Sequence, residues 1–92
     1  MSARLERASG LKISFDKDHD VFGVIIKSGK AMAEELMEDF WVEFDEKGNI
    51  VGIEILDASN ILGEYWKDPE GAALRALEIA KRLVAYREIL VR

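Results

Sequence analysis

Glu43 and Glu54 are the residues best spaced for chemistry, and both lie in the most strand-like stretch, FWVEFDEKGNIVGIEILDAS. Glu43 stands between Val42 and Phe44, and Glu54 between Ile53 and Ile55. Side chains alternate between the two faces of a strand, so each carboxylate points away from its apolar neighbours. If Phe40–Asp45 and Asn49–Leu56 pair as a simple hairpin, the two glutamates share one face. Two carboxylates so placed are candidates for an acid and base pair. The plainer reading is a solvated acidic face with Lys12 or Lys27 as counter-charges. No second histidine, Gly-rich phosphate loop or oxyanion device accompanies them, so no catalytic residue is assigned.

A second run, Asp16-x-Asp18-x-Asp20, has the opening spacing of a calcium loop. The sixth loop position requires glycine and is Val21, and the twelfth requires glutamate and is Lys27. Turn aspartates that bond their own backbone account for the run. His19 is the only histidine and cysteine is absent, so no ligand set for zinc, no thiolate and no disulfide can be assembled. No metal and no cofactor is expected. Trp41 falls on the Glu43 side of its strand, opposite Phe40, Val42 and Phe44. An outward tryptophan marks either a contact surface or a site covered by another element, here the short helix that contains Trp66.

These residues must be positioned by an α+β fold. Alternation predicts strands over Lys12–Phe15, with Ile13 and Phe15 inward, and over Val21–Ile26, with Phe22, Val24 and Ile26 inward. In the main hairpin, Phe40, Val42 and Phe44 face the core with Val51, Ile53 and Ile55. Gly48 supplies the φ > 0 position that a short turn needs. Ala31–Asp39 mixes helix-forming residues with Met32 and Leu36, each two positions from Glu34. It reads as a strand, because a strand joins the two hairpins most simply. The expected sheet is antiparallel, with four or five strands over residues 11–57. Residues 58–66 follow as a short helix capped by Asp57. Asp68-Pro69-Glu70 has the form of a helix start, and the helix should run to about Val91.

The long helix is more apolar than one sheet requires. Ala73, Leu77, Ala80 and Val84 form one stripe, and Ala72, Ala76, Ile79, Leu83, Tyr86 and Leu90 form another beside it. A helix on one sheet shows a stripe of roughly 100°. The second stripe therefore points to burial between layers or to another chain. Trp41, Trp66, Ile79, Leu83, Tyr86 and Leu90 are the candidate interface.

Ninety-two residues make one domain over 11–92, with residues 1–10 expected to be a flexible leader lacking the apolar core of a secretion signal. The net charge of −5 is uneven: residues 11–68 hold six lysines against fourteen acids, and residues 69–92 hold five bases against three acids. A sheet this acidic repels phosphates, so no nucleic-acid partner is expected. No apolar run is long enough to span a bilayer, and the composition suits the cytoplasm.

LKISFDKDHDVFGVIIKSG and EDFWVEFDEKGNIVGIEILDASNIL together resemble the small bacterial and archaeal proteins grouped as domain of unknown function 2283. The matching positions are Ile13 to Asp16, Asp20 to Ile26, and Asp45 to Ser59, within residues 11–62. Gly23 departs from that pattern, which often has tyrosine there, and Ala31–Glu38 is more helix-like than its third strand. The resemblance implies an antiparallel sheet backed by an α element, and no reaction. It also associates the chain with small toxin-like partners. The expectation is a non-enzymatic interaction domain forming a homo-oligomer, a dimer first. The alternative is an antitoxin-like regulator that neutralises a small basic toxin-like partner.

Overall fold

A computed structural model describes residues 2–6 and 10–90, with side chains described over 10–90. Six antiparallel strands form one sheet: β1 Ser2–Glu6, β2 Lys12–Asp16, β3 Val21–Ile25, β4 Met32–Met37, β5 Phe40–Phe44 and β6 Ile50–Ile55. A short helix α1 (Ser59–Leu62), a 3-10 turn over Tyr65–Lys67 and a long helix α2 (Pro69–Leu90) follow. This is the expected α+β fold. Five strands come from residues 11–57, and a sixth comes from the segment read as a leader, where Ser2–Glu6 pairs with β2. That pairing satisfies backbone groups that an edge strand would leave open.

The strand order is β1-β2-β3-β6-β5-β4, so two three-stranded meanders meet where β3 pairs with β6. Ala31–Asp39 does furnish a strand, β4, but it lies at the far edge rather than between the hairpins. Composition explains the placement. IVGIEI is apolar enough for the sheet centre, whereas MAEELM carries carboxylates suited to an exposed edge.

One sheet face is covered and holds the core. Ile13, Phe22, Val24, Phe40, Val42, Ile53 and Ile55 are buried there, as the alternation requires. α2 packs on this face through Ala72, Ala73, Ala76 and Ala80, all fully buried, so the helix backbone lies close to the strands. The larger Leu77, Ile79, Leu83 and Val84 flank the alanines and are partly buried. The two apolar stripes therefore share one seat on the sheet. The helix starts as expected: Asp68 Oδ1 accepts from the Gly71 amide at 3.1 Å, with Pro69 at the first position. Its expected last residue, Val91, lies outside the described residues.

The helix expected over 58–66 is two pieces. Gly63, at φ 65°, ends α1, and the chain restarts as the 3-10 turn. Nor does Asp57 cap α1. Its carboxylate bonds the Asn60 side chain at 2.5 Å, and the first amide of α1 bonds elsewhere, to Asp20.

The β5–β6 turn is held by Asp45, whose carboxylate accepts the amides of Lys47 and Asn49, each at 2.9 Å. Gly48 has φ 84°, the left-handed conformation expected of it. Gly48→Val should destabilise the domain by about 1–2 kcal/mol through backbone strain alone, since a Cβ there meets nothing within 4 Å. Chemical denaturation that leaves the midpoint unchanged would contradict this.

Candidate functional site

Two surfaces gather the candidate residues, one on each side of the sheet. On the face turned away from α2, the strand register sets Ser14, Gly23, Glu54 and Trp41 in one row across β2, β3, β6 and β5. The next row runs Lys12, Ile25, Gly52, Glu43 and Ala33. Glu43 and Glu54 are therefore diagonal neighbours on one face, as a simple hairpin requires, although a bulge follows Glu43. They line an open trough of about 280 Å³ rather than a closed cleft. Neither has an ion-pair or hydrogen-bond partner among the described residues, so Lys12 and Lys27 do not pair with them. Trp41 is half-buried on this face, and the short helix, which lies on the other, does not cover it.

On the helical side, Ile79, Leu83, Tyr86 and Leu90 run along α2 towards the β4 edge. Leu83, Tyr86, Arg87 and Leu90 form a groove with Glu34, Glu35 and Leu36. Arg87 fixes that groove: its Nη1 lies 2.6 Å from Glu34 Oε2, and its guanidinium sits over the Phe44 ring at 5.2 Å. Tyr86 and Leu90 are exposed, whereas Ile79 and Leu83 lean on the core. Trp66 is elsewhere, edge-on to Tyr65 at 5.0 Å and under Lys17 at 4.5 Å. The six candidate interface residues thus do not form a single surface. Only the four on α2 lie together.

The aspartates of the β2–β3 turn have separate structural duties. Asp16 accepts the amides of Asp18 and His19, and its other oxygen lies 2.8 Å from His19 Nδ1. The His19 ring holds the Asp16 carboxyl down at about 2. Asp20 faces the other way, at φ 57°. It accepts from the Ser59 amide at 3.0 Å, the Ser59 hydroxyl at 2.6 Å and the Tyr65 hydroxyl at 3.0 Å. Partial burial raises the Asp20 carboxyl, and these hydrogen bonds outweigh it, so the group stays below its ordinary value. Burial first, then the Asp20 bond, pushes Tyr65 up to about 12. The carboxylates of this turn are divided among protein donors rather than turned towards one ion. No group of three or more potential metal ligands occurs among the described residues.

Sequence reasoning missed the Asp20–Ser59–Tyr65 link and the trough whose floor includes Gly23. The only signal for the first was that an aspartate turn and an Asp-Ala-Ser exit occur in one chain. For the second it was Gly23, on the outer face of an otherwise apolar strand, where glycine suggests a close approach or a bend.

These features define a small α+β module, a twice-meandering antiparallel sheet locked by a turn aspartate to the helix after its last strand. The chain belongs to the family described as protein of unknown function (DUF2283), whose model matches residues 12–59. That match ends on Ser59, the residue Asp20 holds. The chain is also 37% identical over 51 residues to an uncharacterised protein of Methanocaldococcus jannaschii. The aligned part covers 55% of this chain and 44% of that relative, so the chain spans less than half the relative's length. No solved structure matches the chain. Among the described residues no helix is long and apolar enough to cross a membrane.

Proposed function

We propose that this protein is a non-enzymatic, cytoplasmic interaction domain that self-associates as a two-fold dimer through the second half of α2. The observation that carries this reading is the helix end, where Tyr86, Ile89 and Leu90 are 62%, 68% and 64% exposed. Tyr86 and Leu90 continue a stripe whose earlier members, Ile79 and Leu83, are partly buried in the core, and Ile89 lies on the adjoining face. Apolar side chains gathered at one place favour a partner surface over water. Charge supports a second copy as that partner. Beyond the Arg87–Glu34 and Arg82–Glu78 pairs made within one chain, residues 31–39 carry Glu35, Glu38 and Asp39 with no base, and the second half of α2 carries three bases, Lys81, Arg82 and Arg87, against Glu88. A two-fold axis brings each basic helix end to the other copy's acidic edge, and the same contact occurs twice. Direct β4-to-β4 pairing is disfavoured, because it would place these glutamates against each other.

Sedimentation at micromolar concentration should give about twice the 10.4 kDa chain mass. Leu90→Glu should return it to the monomer without unfolding, since Leu90 is outside the core. Leu83→Glu is a poorer probe because it touches the core. A 10.4 kDa species for the natural sequence would refute self-association. A Leu90→Glu variant that stays dimeric would move the interface away from α2.

A second reading, an antitoxin-like regulator that neutralises a small basic partner, is favoured by the uncovered sheet face. The acidity of that face weighs against nucleic acid as the partner.

A further inference from the structure

Two glycines lie in adjacent rows of the uncovered sheet face, and one of them, Gly23, lines the trough. Gly23 opens a gap between Ser14 and Glu54, and Gly52 leaves room between Ile25 and Glu43 that the Glu43 carboxylate takes. A Cβ at Gly23 would come within 3.2 Å of Ser14 Oγ, and one at Gly52 would meet the Glu43 carboxylate, which lies across it. Glycine inside a strand weakens it and often marks close approach by another chain. Here Gly23 lies on the floor, Trp41 and Ile25 are apolar walls, and among the described residues Glu43 and Glu54 supply the only charges lining it.

We propose that this trough receives an arginine side chain presented by an extended, basic segment of a protein partner. The pieces match that ligand and each has a role. An arginine stem needs an apolar wall and its guanidinium a flat aromatic face, which Trp41 offers. Its fork of donors needs carboxylate oxygens, which Glu43 and Glu54 hold without an existing partner among the described residues. Gly23 lets the partner's side chain descend towards the strand backbone, while Gly52 gives the Glu43 carboxylate room to lie beside it. The excess of fourteen acids over six lysines in residues 11–68 steers a basic segment towards the trough. An open face suits an extended chain better than a small molecule, which gains most from enclosure. The inference names the site that the second reading above would use, and it is independent of self-association through α2.

The test is calorimetric titration of the whole protein with a synthetic decapeptide of alternating arginine and serine, in low salt. Binding should weaken about tenfold in Glu43→Gln and again in Glu54→Gln, as expected for charge-assisted hydrogen bonds. Gly23→Val keeps every charge and fills the floor, and it should abolish binding. Glu64→Gln, a charge change outside the trough, should shift affinity by less than about twofold. Leu90→Glu should bind like the natural sequence, whatever its mass. No binding would overturn both this inference and the acidic-surface reading. Binding weakened equally by Glu64→Gln, or untouched by Gly23→Val, would overturn the trough alone and leave a general acidic attraction. Spermine binding as tightly as the peptide would overturn the extended segment in favour of a small polycation.

Discussion

Tyr65→Ala should lower the unfolding free energy by about 3–5 kcal/mol, the range for removing a large buried aromatic. For a domain of this size that is a fall in melting temperature of roughly 15–30 °C. Tyr65 is completely buried and is the largest such side chain in the core. Its ring meets Phe15 at 5.7 Å, Phe22 at 5.4 Å and Trp66 at 5.0 Å, all edge-on, so it joins β2, β3 and the 3-10 turn. Domains rarely hold more than about 5–15 kcal/mol in all, so the variant should be close to unfolding at room temperature. Tyr65→Phe separates the ring from the hydroxyl. It keeps the three ring contacts, removes one donor to Asp20, and should cost about 1–2 kcal/mol. Thermal melts by circular dichroism read both, and an alanine variant within 1 kcal/mol of the natural protein would show that the ring is not central. The raised ionisation of Tyr65 adds a condition. The unfolded chain loses this proton near 10 and the folded chain only near 12, so stability should fall as pH climbs between those values.

Asp20→Ala is the second large effect, about 3–4 kcal/mol. Three losses coincide. The first amide of α1 loses its acceptor, a cap contribution of about 1 kcal/mol. The Tyr65 hydroxyl is left inside with only the Asp16 carbonyl, 3.5 Å away, at a cost of about 1–3 kcal/mol. Alanine must also adopt φ 57°, which aspartate tolerates better, for about another 1 kcal/mol. The terms share partners and do not add fully. Asp20→Gly relieves only the backbone and should fall between alanine and the natural residue. Asp20→Asn keeps an oxygen and the tolerance for φ > 0, so it should be mildest. The acid limb supplies an independent check. Asp20 binds its proton more weakly in the folded state, so its contribution is complete above the ordinary carboxyl value of 3.8 and is lost as pH falls below it. Asp16 behaves the same way, from 3.8 down to about 2. Natural protein should therefore lose stability between about pH 4 and pH 2, and Asp20→Asn should show a shallower slope there. An Asn variant with an unchanged slope would place the acid sensitivity elsewhere.

How far the sequence reaches is clear from particular residues. Period-2 alternation determined which side chains of β2, β3 and β5 face inward, because a strand admits only two faces. In β6 it determined Ile53 and Ile55, but the bulge sets Ile50 opposite Phe44 and leaves Val51, expected on the core face, outside the main core cluster. Gly48 and Asp68 announced their turn and helix start, because φ > 0 and a free first-turn amide are local needs that local residues meet. The shared face of Glu43 and Glu54 was legible for the same reason.

What the sequence could not decide depends on partners distant along the chain. Asp57 was the nearest acid to α1 and the natural choice of cap, yet Asp20, 39 residues before Ser59, takes the amide. Only the β3–β6 pairing brings them together. Strand order was likewise hidden, since the pattern of β4 says that it is a strand but not that it lies at the edge. The breadth of the apolar stripe on α2 was visible in the sequence. Which part of it stays in water was decided by tertiary structure: the alanines seat the helix on the sheet, and its last turns run out beside β4, the edge strand, leaving Tyr86, Ile89 and Leu90 exposed among the described residues. The trough arose in the same way, as Gly23 and Glu54 lie 31 positions apart and come opposite each other only when β3 and β6 pair.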